Sequence, residues 1–481
     1  MRVSSLWIVL VLIMVNAGVG HSQTYSSVMS GFARAADKTM HSDSIKALVL
    51  NELGEDWEEY DVSDENERIS RPRPIMLPSA VDQPDKREMV LKVSEVVDTL
   101  SGIWEIISAD SPYSLPEASD TQTRVVQFSF YGTDQVVSVP QRYGTFHPAG
   151  ISEKEVSEFW KSLSECEYQC ILSDCNKYRI ALGYNDWAVL KWVEALADII
   201  FPQNIYSEQK IFTVFLMNHL GLRVKFARSD DKLVVLFSSM QQIYARKFVV
   251  IDTYPYYLAE DIPSASNVYT YRGEYGRITR PLDMRISKPL RIGDEKKISV
   301  NKYSSVWEKS IDCQLPAAII DFYSDYPQMD AKVYASSVPS PNFVDQIKGL
   351  FVRETGQDDS TYINRILSYM HLDFSYMVDQ DQFGYEKPFF LEENFVYPYN
   401  DCEDRSIMLS VLLKQLLGLK VVLLDYDDHM CVAVNVNDQI KGDHLVINSE
   451  KYYVCDPTYI GATIGMCVPK YKARSAKVYL L

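Results

Sequence analysis

The stretch that constrains this chain most is Asn400-Asp401-Cys402-Glu403-Asp404-Arg405-Ser406 with the apolar run Ile407 to Leu417 behind it. Asp401 or Asn400 can cap a helix start, and Gly418 can end that helix. The run IMLSVLLKQLL is apolar on nearly every helical face, which predicts a buried helix. Cys402 then stands at the N-terminus of a buried helix, where the dipole and free N–H groups favour a thiolate. The carboxylates of Asp401, Glu403 and Asp404 oppose that, so activation of the thiol falls mainly to a base.

A base and a group to orient it follow downstream. Leu419 to Leu424 reads as a strand, Asp425 to Asp428 as a turn, and His429 to Val434 as a second strand. Lys451 to Cys455 reads as a third, running directly into Asp456-Pro457-Thr458. If the strands bearing His429 and Asp456 pair, the carboxylate fixes the imidazole and the imidazole can face the thiol. The candidate catalytic set is therefore Cys402, His429 and Asp456.

These residues resemble the transglutaminase-like superfamily of papain-like cysteine enzymes. The likeness rests on Tyr-Asn-Asp-Cys-Glu-Asp-Arg-Ser (399–406), Asp-Asp-His-Met-Cys-Val-Ala-Val (427–434) and Tyr-Tyr-Val-Cys-Asp-Pro-Thr-Tyr (452–459), and it spans residues 360–470. The resemblance implies a Cys-His-Asp triad on a central helix packed against an antiparallel sheet, with no cofactor. The competing reading is a structural cysteine beside a satisfied core histidine.

Part of this arrangement recurs earlier. Gly221 to Phe237 aligns without a gap to Gly418 to Val434, and Phe248 to Pro255 matches Tyr453 to Tyr459. In that alignment Lys232 takes the place of His429, Asp252 that of Asp456, and Ser207 that of Cys402. Val125 to Tyr131 is also matched with Ala318 to Tyr323. Helices are expected after each at 152–166 and 342–354, then at 186–201 and 360–371. The expected fold class is α+β, with two papain-like units. A degenerate first copy (121–262) and an intact second (316–481) are joined by a β-rich connector (263–315). A Ser207–Lys232 dyad is chemically conceivable, but a purely structural first copy is favoured.

The N-terminus, Met1-Arg2 followed by apolar residues 6–15 and small residues to Ser22, reads as a secretory signal peptide (1–22). Residues 23–120 form an extension with an expected helix at 42–53 and a charged, proline-bearing segment at 54–88. No later stretch is apolar enough to span a membrane. The expected location is therefore exported, periplasmic or at the cell surface. The net charge of −17 argues against nucleic acid and anionic membrane as partners.

Eight cysteines in 481 residues are too sparse for a disulfide framework. Cys431 should share a strand face with His429 and Cys455 should take the opposite face, so the two should not bond. Cys166, Cys170 and Cys175 have the wrong spacing for a zinc ribbon, and no metal site is expected there.

The aromatic loop from Phe374 to Tyr399 precedes Cys402, and Gln382 within it is a candidate oxyanion donor. Six acidic residues nearby (Asp401, Glu403, Asp404, Asp425, Asp427, Asp428) raise the expectation of a cationic or amine-bearing protein or peptide substrate. The alternative is an acidic rim that caps the helix and meets solvent. Three functional classes follow: a cysteine hydrolase on peptide or amide bonds, an acyl transferase to amines, and a binding module that keeps the fold.

Overall fold

The computed structural model describes residues 57–61, 77, 79–80, 88–98 and 120–481, apart from 206, 230–231, 261–266, 272–278 and 294–295. The signal peptide and the helix expected at 42–53 lie outside the described residues. Among those described, no helix is long and apolar enough to cross a membrane.

The chain is mixed α+β. Strands β1 (Trp57–Asp61) and β2 (Lys92–Asp98) come first, then the hairpin β3 (Thr123–Phe130) and β4 (Thr133–Pro140). Four helices follow: α1 (Glu153–Ser164), α2 (Gln169–Leu182), α3 (Asp186–Ile200) and α4 (Glu208–His219). Strands β5 (Val224–Ser229), β6 (Lys232–Ser238), β7 (Phe248–Ile251), β8 (Tyr254–Leu258) and β9 (Asn267–Tyr271) complete the first half.

The second half opens on another hairpin, β10 (Lys297–Ser304) and β11 (Lys309–Pro316). Helices α5 (Ala317–Ser324), α6 (Ala331–Ala335), α7 (Pro341–Leu350) and α8 (Asp359–Asp373) come next. The aromatic loop holds β12 (Ser375–Tyr376), α9 (Asp379–Gln382), α10 (Glu393–Val396) and β13 (Tyr399–Asn400). Helix α11 (Cys402–Leu417) leads into β14 (Val421–Asp425), β15 (Met430–Val434), β16 (His444–Ile447) and β17 (Glu450–Cys455). Helix α12 (Pro469–Lys472) and β18 (Ser475–Leu480) close the chain.

The two large sheets have orders β7-β8-β6-β5-β9-β1 and β16-β17-β15-β14-β18-β2. Taken in chain order, five strands of each sheet follow the same path. Registers agree as well: Val224 opposes Phe237 in one sheet and Val421 opposes Val434 in the other. Each strand pair is approached through a glycine with positive φ, Gly221 at 77° and Gly418 at 64°. Both outer hairpins turn on two residues with positive φ, Asp252-Thr253 and Asn448-Ser449, the geometry that matches strand twist. The sixth strands differ, since β1 joins antiparallel and β2 parallel.

Three details of the sequence alignment are corrected. Ala317–Ser324 is a helix while Thr123–Phe130 is a strand; both are short apolar runs, whose period does not separate strand from buried helix. The hairpin β10–β11, packed on α7, stands where β3–β4 stands in the first half. Asp252 lies in the β7–β8 turn rather than at the end of the strand paired with β6. There Ala259 N–H donates to Val235 O at 2.8 Å, so Glu260 is the residue placed as Asp456 is. Within the expected connector, β9 joins the first sheet and residues 290–292 are irregular.

One apolar core runs through both halves, taking in Trp187, Phe237, Met284, Tyr326, Met329, Phe390 and Leu412. Smaller clusters line the far faces of the two sheets, Val234 and Tyr256 on one, Tyr426, Cys431 and Tyr471 on the other.

Candidate functional site

Helix α11 is buried from Asp404 through Leu413, as its apolar pattern requires. Its start is closed by a capping box. Asp401 accepts from the N–H groups of Glu403 (2.9 Å) and Asp404 (3.2 Å), and the Asp404 carboxyl accepts from Asp401 N–H at 3.3 Å. Arg405, 2% exposed, sits under this turn and donates to Asn400 Oδ1 (3.0 Å) and Phe374 O (2.8 Å). Cys402 is the first helical residue and is itself only 2% exposed.

Strands β15 and β17 pair antiparallel, with Val432 opposite Cys455. His429 immediately precedes the first and Asp456 immediately follows the second, so the pairing brings both to one end of the sheet. His429 Nε2 lies 2.8 Å from Asp456 Oδ2. Asp456 Oδ1 accepts from the N–H groups of Thr458 (2.9 Å) and Tyr459 (3.0 Å). Burial alone would raise the Asp456 pKa, but His429 and these N–H groups outweigh it and hold it below the usual range. An ionised carboxylate makes Nε2 the donor of this hydrogen bond, so in the matching tautomer Nδ1 carries the lone pair. Nδ1 is buried and has no hydrogen-bond partner.

The Cys402 sulfur takes a hydrogen bond from the N–H of Met430, the residue after His429. Burial, then the carboxylates of Asp401, Asp456 and Asp404, push its pKa well up. Desolvation of the fully buried sulfur exceeds the gain from one helix end, and Asp401 and Asp404 oppose the thiolate as expected from the sequence. The resting group is a thiol.

Several neighbours have no signal in the sequence. Tyr471, fifteen residues past Asp456, lies face to face with His429 at 5.0 Å and 22°. His371 bridges the Asp456 loop, with Nε2 3.1 Å from Asp456 O and Nδ1 accepting from Gly461 N–H at 3.3 Å. Burial lowers its pKa, in keeping with a neutral bridge. The Asp379 carboxyl, 2% exposed, accepts from Lys387 N–H at 2.6 Å and is pushed up to about 8 by burial and then by Asp401. Cys431 shares the His429 face as expected, and its sulfur, the His429 ring and the Asp456 carboxylate have atoms within 4.8 Å of one another.

Gln382 Nε2 donates to Tyr399 O at 3.2 Å, which ties α9 to the strand leading into Cys402, while its Oε1 is buried and unpartnered. Of the six carboxylates expected to form an acidic rim, only Asp427 is exposed. Asp401 and Asp404 cap the helix, and Asp428 pairs with Lys470 (2.6 Å) and Arg474 (2.8 Å). In the first half, Lys232 is exposed and occupies the register position of His429. Ser207 is the N-cap of α4 with φ 60°, not its first helical residue; that place is held by buried Glu208, 2.9 Å from His147. Helix α4 has 12 residues against 16 in α11, so the turn that carries Cys402 has no equivalent there. The eight cysteines are all free, and Cys170 donates to Ser138 O (3.1 Å) and Glu167 O (2.9 Å).

Comparison of the chain with protein-family models, with curated proteins and with solved structures gave no match.

Proposed function

We propose that this chain is a cysteine hydrolase that cleaves peptide or amide bonds through an acyl-enzyme on Cys402. The observation that carries the reading is the buried His429–Asp456 pair, whose free Nδ1 sits on the residue next to the N–H that holds the Cys402 sulfur. In the reaction, His429 Nδ1 takes the thiol proton as sulfur attacks the carbonyl carbon. The imidazolium, held by Asp456, returns that proton to the departing amine. Water, deprotonated by the same nitrogen, then attacks the thioester and releases acid and thiol. Gln382 keeps one amide hydrogen free for an oxyanion.

The shared strand order, registers and turn geometry of the two sheets support a duplicated transglutaminase-like unit. Its first copy is structural, with Lys232 exposed and Glu208 at the helix start. Export belongs to the same proposal; N-terminal sequencing of the mature chain decides it.

The thiol's burial favours one second reading, a binding module on this frame that performs no chemistry. The test is turnover of a fluorogenic amide pool, with mass spectrometry for an acyl adduct on the Cys402 peptide. The expected result is an adduct lost in Cys402→Ala, and kcat/KM lowered about 10²–10⁴-fold in His429→Gln and Asp456→Asn. Wild-type protein with no adduct and no amine release moves the assignment to the binding module. Incorporation of a labelled primary amine in place of hydrolysis assigns acyl transfer.

A further inference from the structure

His429, Cys431 and Asp456 offer nitrogen, sulfur and oxygen at one end of the second sheet, all within 4.8 Å of one another and each at most 3% exposed. Cys431 has no part in the acyl-transfer chemistry, and its thiol makes no hydrogen bond among the described residues. It faces the Tyr426–Tyr471 cluster, on the opposite side of the sheet from the core that holds Cys455. Its distinction is the reach of its sulfur to the two polar side chains.

We propose that these three residues form an inhibitory site for a zinc-type divalent cation. A tetrahedral zinc ion holds its ligand atoms about 3.3–3.7 Å apart, given bonds of about 2.0 Å to nitrogen and oxygen and 2.3 Å to sulfur. The His429 Nε2–Asp456 Oδ2 separation is 2.8 Å, so those two atoms open by about half an ångström and Cys431 closes on them. One proton leaves to solvent, that of the Cys431 sulfur, while the ring proton moves from Nε2 to Nδ1 and keeps the imidazole neutral. The 2+ ion is then balanced by one thiolate and one carboxylate, so the buried centre is neutral, the condition under which low-dielectric burial costs least. Mixed nitrogen, sulfur and carboxylate donors at tetrahedral spacing suit zinc and its analogue cobalt rather than calcium or magnesium, which take oxygen.

The ion occupies the place of the proton that fixes the His429 tautomer. Metal binding therefore leaves Nδ1 protonated, with no lone pair for the Cys402 thiol, and the protein is silenced without any modification of the nucleophile. That inhibitory consequence rests on the hydrolase reading. The metal site does not, and the spectroscopic test needs no substrate.

Full-length protein is treated with a chelator and titrated with Co2+ alone. The expected result is one equivalent bound, with the intense visible bands of a four-coordinate ion and a thiolate-to-cobalt band in the near ultraviolet, both bleached by Zn2+. The sulfur band persists in Cys402→Ser and disappears in Cys431→Ser, where Zn2+ affinity falls at least about 100-fold, since loss even of outer-shell partners costs 10–100-fold. His429→Gln loses the visible bands. If Cys431→Ser does not fold, the spectrum of Cys402→Ser and the count of one sulfur by X-ray absorption on the Zn2+-loaded wild type carry the decision. No bound equivalent, a spectrum without sulfur, or a sulfur band lost in Cys402→Ser overturns the site. Failure of amide turnover in metal-free wild type overturns the hydrolase reading alone.

Discussion

The environment of Cys402 is set by residues whose own chemistry is altered by burial. Asp379 is the clearest case. Its carboxyl is enclosed beside Asp401, its Oδ1 has no partner, and its pKa is raised to about 8. The unfolded chain ionises this group near pH ~4. Between pH ~4 and about 8 the folded state holds a proton that the unfolded state has lost. Its contribution to stability is thus complete below ~4, falls as pH rises through that window, and is constant above it. Asp379→Asn removes the dependence. Melting temperature measured from pH 5 to 9 should fall more steeply in wild type than in the variant, and parallel curves would show that the carboxyl titrates normally.

Helix α11 and the loop before it behave as one element. The capping box, Phe389 N–H on Asp404 (2.9 Å) and the Arg405 bonds to Asn400 and Phe374 tie three segments to one helical turn. Arg405 is a buried cation beside Asp401 and Asp404. Its removal leaves two buried acceptors, Asn400 Oδ1 and Phe374 O, without their donor, at a cost of about 1–3 kcal/mol each. Urea denaturation of Arg405→Leu should show a loss of that size, against about 1–2 kcal/mol for Asp401→Ala, which removes the helix cap. Equal, small losses would place the Arg405 side chain in solvent.

At the scale of the molecule, the halves are joined by the core and by specific bonds. Asn185 Nδ2 donates to Tyr326 Oη (2.6 Å) and Met284 O (2.8 Å), and Tyr244 N–H donates to Gln328 O at 2.9 Å. Gln328 Nε2 in turn donates to Glu386 O, in the loop that precedes Cys402. The first half thereby braces the wall of the candidate site. Thermal unfolding should be a single transition when followed by far-ultraviolet circular dichroism and by fluorescence of Trp187 and Trp192. Two separated transitions would show that the halves are independent domains, and Asn185→Leu is the substitution expected to drive them apart.

The helix around Cys402, the strands on either side of His429, and the order Cys402, His429, Asp456 were legible in the sequence because each is a local matter of apolar period, caps and turns. The gapless match of 221–237 with 418–434 was legible for the same reason, and both strand pairs carry the same register. The match of Ala318 to Tyr323 with a strand was not sound, because a six-residue apolar run has too few turns to show its period. Asp252 was misplaced because two neighbouring strands of similar composition differ only in which one pairs with β6. Only the tertiary structure decided the charge state of the site. Sequence shows a sulfur at a helix end, and the field there favours a thiolate. Packing then closes the sulfur from water among buried carboxylates, a desolvation that no local pattern encodes, and it holds the proton on Cys402.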